Sequence, residues 1–367
     1  MIKYCIPTSF DDRLIDKVIE LNSISNNKIC EFYGSTKEIL TGSGRPSKIL
    51  QDVSIAKLKK HVKNCHNNEI RFNFLLNGAC MGGEEFNKVY LKKIIDFVSI
   101  LYDSKVDILT ISNPYLVTVI KNKFPKLNIC LSIIAGVGNM QEIKIYEGMG
   151  INRIVLDANI NRAFELLKSI RKQTNIKLEV LANNPCLLKC PFRRYHPEID
   201  SHISIKEREI PPFPSIMCKN IRLNNFEEII KSPWIRPFDA HRYTELGIDY
   251  IKLSGRGKNT EWIINLARHY LEEKDGANFY QFIEKNSWNF FHEKNKKLEN
   301  LEISIPFLPN DFLDFFVRKN FDCDIQCKTC GYCKRIAEQY VKVNNQKTRE
   351  KYLKYIDAFI KKVSNPI

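Results

Sequence analysis

Apolar positions along the chain fall into two patterns. Short runs rich in Ile, Val, Leu, Phe and Tyr occur at Ile2–Pro7, Lys28–Tyr33, Ile70–Leu76, Val106–Ser112, Asn128–Ile134, Arg153–Asp157, Lys177–Ala182 and Tyr250–Ser254. Their length and β-branched content predict strands. Between them lie amphipathic stretches near 12–23, 54–64, 85–102, 114–124, 139–149, 160–173 and 259–273. The clearest is 85–102, where Phe86, Val89, Tyr90, Ile94, Phe97, Val98 and Leu101 recur at helical spacing. Eight strands alternating with helices predict a parallel α/β fold. Eight is also the number that closes a (β/α)₈ barrel, and about 275 residues suits one. An open doubly wound sheet normally carries a glycine-rich phosphate fingerprint after its first strand. Here Pro7, Thr8, Ser9 and Phe10 follow, with no glycine.

The expected fold is therefore a TIM-like (β/α)₈ barrel over 1–275, followed by a C-terminal appendage over 276–367. The appendage holds an aromatic-rich stretch at 287–321, a four-cysteine run and a basic amphipathic helix near 347–363. One gap between strands is too long for a single helix. It runs from Asn183 to Asp249 and carries Cys186, Cys190, His196, His202, Cys218 and the stretch Pro211–Pro212–Phe213–Pro214. Such an insertion leaves the C-terminal end of a strand, the face where barrel active sites lie.

Composition narrows the class without naming a partner. Apolar residues make up 44% and charged residues 27%, which suits a folded soluble chain. No run of 18 apolar residues is present, so no membrane span is expected. The N-terminal residues show no signal-peptide core, and a cytoplasmic location is expected. The net charge of +15 allows a nucleic-acid partner. However, lysine outnumbers arginine by more than two to one, and the charge is dispersed along the chain without blocks. That is compositional drift and does not select a partner.

Twelve cysteines in a reduced compartment point to metal or catalytic sites in place of disulfides. Cys5, Cys30, Cys65, Cys80 and Cys130 are scattered. Cys323, Cys327, Cys330 and Cys333 stand within eleven residues. Closely repeated thiolates can reach different irons of one cluster, whereas structural zinc usually takes two separated pairs. The run therefore favours iron–sulfur over zinc. Cys186, Cys190 and Cys218 form the second group. At a barrel mouth they can hold a cubane, with His196, His202 or Cys80 as a further ligand. Zinc, or a buried cysteine pair with no ligand, remains the alternative.

A third group is polar. Asn77, Asn113, Asp157, Asn183, Asn184 and Arg256 each end or closely follow a predicted strand, so in a barrel they converge on one mouth. Arg256 and Arg45 can clamp a carboxylate or phosphate. Asp157 is placed as a general base or as a structural carboxylate. Arg45 lies in Gly42–Ser43–Gly44–Arg45–Pro46, which reads as an anion loop or a plain turn.

These blocks resemble the peptidase U32 family, the collagenase-like proteases. Lys252–Leu253–Ser254–Gly255–Arg256 and the following helix look like that family's Lys-Ile-Glu-Gly-Arg element, with Ser254 in place of Glu. Leu178–Glu179–Val180 and the following cysteine loop look like its Leu-Glu strand and cysteine segment. Cys186 and Cys190 are similar to one pair in the ubiquinone-hydroxylation branch. The four-cysteine run lies outside the core pattern. The resemblance implies a TIM-like barrel. In several members it also implies a 4Fe-4S cluster and oxygen-independent hydroxylation of ubiquinone precursors or RNA bases, and in others a peptidase.

Three readings follow. The first is an iron–sulfur enzyme with one or two 4Fe-4S clusters, one held by Cys186, Cys190 and Cys218. The second is a peptidase with zinc on Cys and His and Asp157 as base. The third is a non-enzymatic iron–sulfur protein that binds RNA or scaffolds a partner. The substrate can be RNA, a metabolite or a peptide, and an electron-donor protein is a possible partner.

Overall fold

The computed structural model describes residues 1–37, 39–206, 210–283, 299–319 and 323–365. Residues 287–298, 320 and 321 of the aromatic-rich stretch lie outside the described residues. The eight apolar runs form eight parallel strands: β1 (Lys3–Pro7), β2 (Lys28–Gly34), β3 (Arg71–Leu76), β4 (Ile108–Ile111), β5 (Asn128–Leu131), β6 (Arg153–Val155), β7 (Lys177–Leu181) and β8 (Tyr250–Lys252). Each pairs with the next, and β8 pairs with β1 through Tyr4–Ile251 and Cys5–Lys252, closing a TIM-like barrel.

The helices between strands are α1 (Asp12–Ile24), α2 (Ile55–His66), α3 (Lys88–Asp103), α4 (Pro114–Lys123), α5 (Met140–Gly148) and α6 (Phe164–Gln173). The insertion after β7 folds into α7 (Tyr195–Ile205), α8 (Phe213–Asn224), α9 (Glu227–Lys231) and α10 (Ala240–Glu245), and α11 (Thr260–Glu272) follows β8. Starts are set by side-chain caps. Ser54 caps α2, and Asn113, followed by Pro114, caps α4. Helix α3 begins later than its apolar spacing predicts. The Asn87 carboxamide accepts from the amides of Val89 and Tyr90, leaving Phe86 in a preceding short turn against the Tyr115 ring.

The largest core lies between sheet and helices, where Leu14, Val18, Leu58, Val62, Ile94 and Val98 are buried. Inside the barrel the apolar packing divides into two small groups, one around Cys5, Tyr33, Leu75 and Tyr250, the other around Ile108, Cys130 and Val155. An ionic network shares that interior. Arg153 donates to both oxygens of Glu31 at 2.7 and 2.8 Å and pairs with Glu179 at 3.1 Å. Lys252 pairs with Glu179 at 3.4 Å, and Arg71 approaches Glu31 at 3.5 Å. Asn73 donates to Glu31, and Thr110 donates to Asn73. The Arg153 guanidinium also lies 4.7 Å from the Tyr250 ring centroid.

The segment after α11 packs on the insertion. The helix Gln346–Ser364 lies on α8, and Tyr332–Tyr340 lies on α9. Arg349 donates to the terminal carbonyls of α8 at Leu223 and Asn224 and sits over Phe226, which suits a cation at a helix C-terminus. Trp234 of the insertion stacks on Phe312 and meets Phe279 edge-on.

Replacing Arg153 by Met is expected to cost about 3–5 kcal/mol, because it leaves two buried carboxylates short of a partner. A falling urea midpoint checks this. Burial alone would raise the Glu31 pKa, but Arg153 and Arg71 outweigh it and hold the carboxyl below its ordinary value. Its contribution is therefore full above the unfolded-state pKa of about 4.3 and is lost as pH falls through the folded-state value. A urea midpoint that declines with acid below that point is the expected result.

Candidate active site at the barrel mouth

A cavity of about 260 Å³ opens at the C-terminal ends of the strands. Its floor includes Tyr33, Leu75, Thr110, Val155 and Lys252. Its walls include Arg45, Asn77, Ser132, Asn184, Cys186, Cys190, Arg193 and Arg256, and α7 contributes His196, Pro197 and Asp200. Helix α7 is fixed over the mouth by two serines. Ser204 accepts from the Ser43 amide and Ser201 from the Ala79 amide, both at 2.7 Å. Gly78 lets the loops after β2 and β3 approach each other, since a Cβ there would meet the Thr41 carbonyl oxygen at 2.0 Å.

Arg45 and Arg256 are the dominant charges. Arg256 donates to Ser35 and Ser43, and Arg45 to the Gly44 carbonyl. Neither forms an ion pair with a carboxylate among the described residues. Burial and the neighbouring Arg45 push the Arg256 pKa down to about 10. Lys252 stands 4.0 Å from the Tyr33 ring centroid. Burial opposes its charge, but Glu179 outweighs that and its pKa ends raised. The cavity thus presents two desolvated cations, Arg256 and Lys252, with the exposed Arg45 at its rim, an arrangement that suits an anion.

Asp200 is the acid of the site. Burial raises its pKa, with His196, Arg45 and Arg256 opposing. Burial lowers that of His196, with Asp200 opposing and Arg45 adding. Ser215 lies 3.5 Å from His196 Nε2, and Asp200 lies 3.9 Å from the same nitrogen. A hydrolytic triad needs the carboxylate on one ring nitrogen and the nucleophile on the other. This geometry activates no serine.

The sequence-predicted residues divide. Arg45, Arg256, Asn77, Asn184, Cys186, Cys190 and His196 meet at the cavity. Asn183 does not line it. Its carboxamide is held by Ser254 and by the carbonyl of Phe282. Asn113 is the α4 cap and binds Glu85. Asp157 does not line the cavity either. It pairs with Arg193 at 2.8 Å and accepts from the Asn159 amide, while Asn159 accepts from the Lys189 amide. Asp157 is therefore tied to the C-terminal end of the cysteine loop and acts as a positioning residue.

Cys218 stands on α8, outside the cavity lining. His202 is exposed on α7, and Cys80 accepts from the Gly82 amide, also outside the lining. The cavity lining therefore offers two thiols and one imidazole where a cubane takes four ligands. The Cys190 thiol is raised by burial and by Cys186, with Arg193 and Arg222 opposing. Of the C-terminal run, Cys323, Cys327 and Cys333 line a second cavity, and Cys330 does not.

Among the described residues, the ligand atoms of Cys5, Glu31 and Glu179 are the one such trio within 4.8 Å of one another. Three cations, Arg71, Arg153 and Lys252, already face those two carboxylates, so a metal ion there would add to a surplus of positive charge. Sequence reasoning missed Asp200 and the floor. Asp200 follows His196 by four residues on a helix, which is a readable signal.

The closed barrel, the C-terminal mouth and the cysteine loop define a class of (β/α)₈ protein with a cationic, cysteine-bearing mouth. The peptidase family U32 model matches residues 45–188. The chain is 30% identical over 332 residues to the uncharacterized protease MJ1657 of Methanocaldococcus jannaschii, covering 90% of this chain and 94% of that one. The chain belongs to the U32 family. It is also 26% identical over 164 residues to tRNA hydroxylation protein P of Haemophilus influenzae, covering 44% of this chain and 34% of that protein. Among solved structures, the U32 peptidase Mk0906 matches with a TM-score of 0.51 and 18% identity, over 70% of this chain and 94% of that one, which supports the fold. No helix among the described residues is long and apolar enough to cross a membrane.

Asp157→Ala is expected to speed amide exchange across 186–193 and to cost about 1–2 kcal/mol in stability, from a lost cap and ion pair. Asp157→Asn keeps the acceptor for the Asn159 amide and should show the smaller effect. Hydrogen–deuterium exchange separates the two.

Proposed function

We propose that the protein is an iron–sulfur-dependent modification enzyme that acts at the barrel mouth on a substrate presenting a phosphate or carboxylate. The observation that carries this reading is the pair Arg45 and Arg256 on one cavity, Arg256 desolvated within it and Arg45 exposed at its rim, neither with a carboxylate partner among the described residues. Fixed cations of this kind bind and orient an anion without reorganising at the moment of reaction. Cys186 and Cys190 on the same wall support a thiolate-bound group, with His196 as a neighbouring donor. An iron–sulfur cluster supplies one-electron chemistry when bound. The chain's own parts in the reaction are distinct. Arg45 and Arg256 hold the anion, Lys252 holds a proton at its ammonium beside Tyr33, and α7 limits access of water. The H. influenzae relative is named for tRNA hydroxylation, and RNA phosphates are anions of the required kind. The absence of an activated serine at His196 weighs against hydrolysis of the serine type.

The test has two arms. Anaerobically purified wild type should be brown and contain iron with acid-labile sulfide, and Cys186→Ala should contain less of both. Arg256→Ala should bind inorganic pyrophosphate about tenfold more weakly by calorimetry, the loss of a charge-assisted contact. An iron-free wild type carrying one zinc, or unchanged pyrophosphate affinity, would defeat the proposal.

A further inference from the structure

The four-cysteine run is not used by the mouth. Cys323–Cys330 is a helix, and in a helix residues four apart share a face at a rise of about 6 Å. Cys327 therefore stands one turn from Cys323. Cys330 stands about 10 Å along the axis from Cys323, two turns away. Gly331 then takes a left-handed conformation, with φ of 62°, and starts the helix Tyr332–Tyr340. This turn brings Cys333 back, so Cys323, Cys327 and Cys333 line one cavity of about 560 Å³.

The walls of that cavity carry several cations and one carboxylate, Glu165, and of the cations Lys231 is already paired with Glu227 and Glu228. Lys319 donates to the Cys323 sulfur at 2.7 Å. Lys231 and Arg162 also line it. Arg162 is buried, with its guanidinium 4.4 Å from the Trp234 ring centroid and 4.8 Å from that of Phe316. It donates to the carbonyls of Ile230 and Trp234, and its Nε has no acceptor among the described residues. A buried cation with no carboxylate paired to it among the described residues, facing three thiols, suits a site whose occupant is anionic.

Sulfur spacing here is wider than a single zinc needs. Around one zinc, four thiolates sit about 3.8 Å apart, given Zn–S bonds of about 2.3 Å. Among the described residues, no three of these sulfurs lie mutually within 4.8 Å. A cubane places each thiolate on a different iron and so holds them farther apart.

We propose that Cys323, Cys327 and Cys333 bind a four-iron, four-sulfide cluster in the cavity bounded by Arg162, Lys231 and Lys319, and that Cys330 is not a ligand. The fourth iron takes a ligand from outside this run. The site does not depend on a cluster at the mouth, but it stands directly behind it. Leu188 and Lys189 line this cavity, while Cys186 and Cys190, on either side of them in sequence, line the mouth.

The experiment uses the full chain carrying Cys186→Ala and Cys190→Ala, so that the mouth thiols contribute nothing. After anaerobic reconstitution with ferrous iron and sulfide, about four irons per chain are expected. Adding Cys327→Ser or Cys333→Ser should remove them, and adding Cys330→Ala should not. Circular dichroism confirms that each variant is folded. Lys319→Met, which keeps every thiol, should shift the cluster's reduction potential to a more negative value, because a cation that stabilises the reduced form is gone. Full iron in the Cys327→Ser and Cys333→Ser proteins overturns the site. Loss of iron in the Cys330→Ala protein overturns the three-thiol assignment. Binding of a single zinc in place of iron, or an unmoved potential in the Lys319→Met protein, overturns the cluster's identity and placement.

Discussion

Two glutamates inside a closed barrel have no water to solvate them, and this constraint organises the rest of the molecule. Arg153 bridges Glu31 and Glu179 across the interior, and Lys252 and Arg71 complete the neutralisation. The members come from β2, β3, β6, β7 and β8, so the network fixes strands that are not neighbours. A buried network of this kind contributes less to stability than its Coulomb energy suggests, since desolvation opposes it. Its effect is geometric. Lys252 belongs both to the network and to the floor of the mouth. The position of the mouth is therefore coupled to charges deep in the barrel.

Above that floor the mouth is assembled from distant stretches of chain. Loops after β2 and β3 meet α7 through Ser43, Ala79, Ser201 and Ser204. The cysteine loop is held from the other side by Asp157 through Arg193 and Asn159. Lys189 in that loop adopts a φ of 50°, uncommon for a residue with a side chain. That conformation accompanies a loop with one wall in each of two cavities. The two carboxylates are thereby separated: Asp200 faces the cavity, and Asp157 holds the scaffold.

The barrel was legible because each strand is buried on both faces and reads as an apolar run. The charges within those runs were not. Glu31, Arg153 and Glu179 look like polar interruptions, and Arg153 lies 122 positions from its partner Glu31, beyond any local pattern. Strand-end position also failed to separate roles. Asn77 and Arg256 face the cavity, but Asn113 and Asp157 occupy equivalent places and serve as caps, because a strand end is also where the next helix or turn begins. The insertion hid its helices behind prolines and weak periodicity. Cysteine spacing could not show that Cys330 stays outside the cavity lined by Cys323, Cys327 and Cys333, or that Cys218 sits on a separate helix outside the mouth.

The packing of the C-terminal helices on α8 and α9 has a consequence for biosynthesis. The insertion leaves the ribosome more than eighty residues before the helix Gln346–Ser364 that covers it. Until then Ile216, Leu223, Ile229 and Ile230 have no complete apolar environment, although the sheet can already close through β8. Nascent chains therefore pass through a state with a finished barrel and an unfinished roof, and its greasy surface is a natural client for a chaperone.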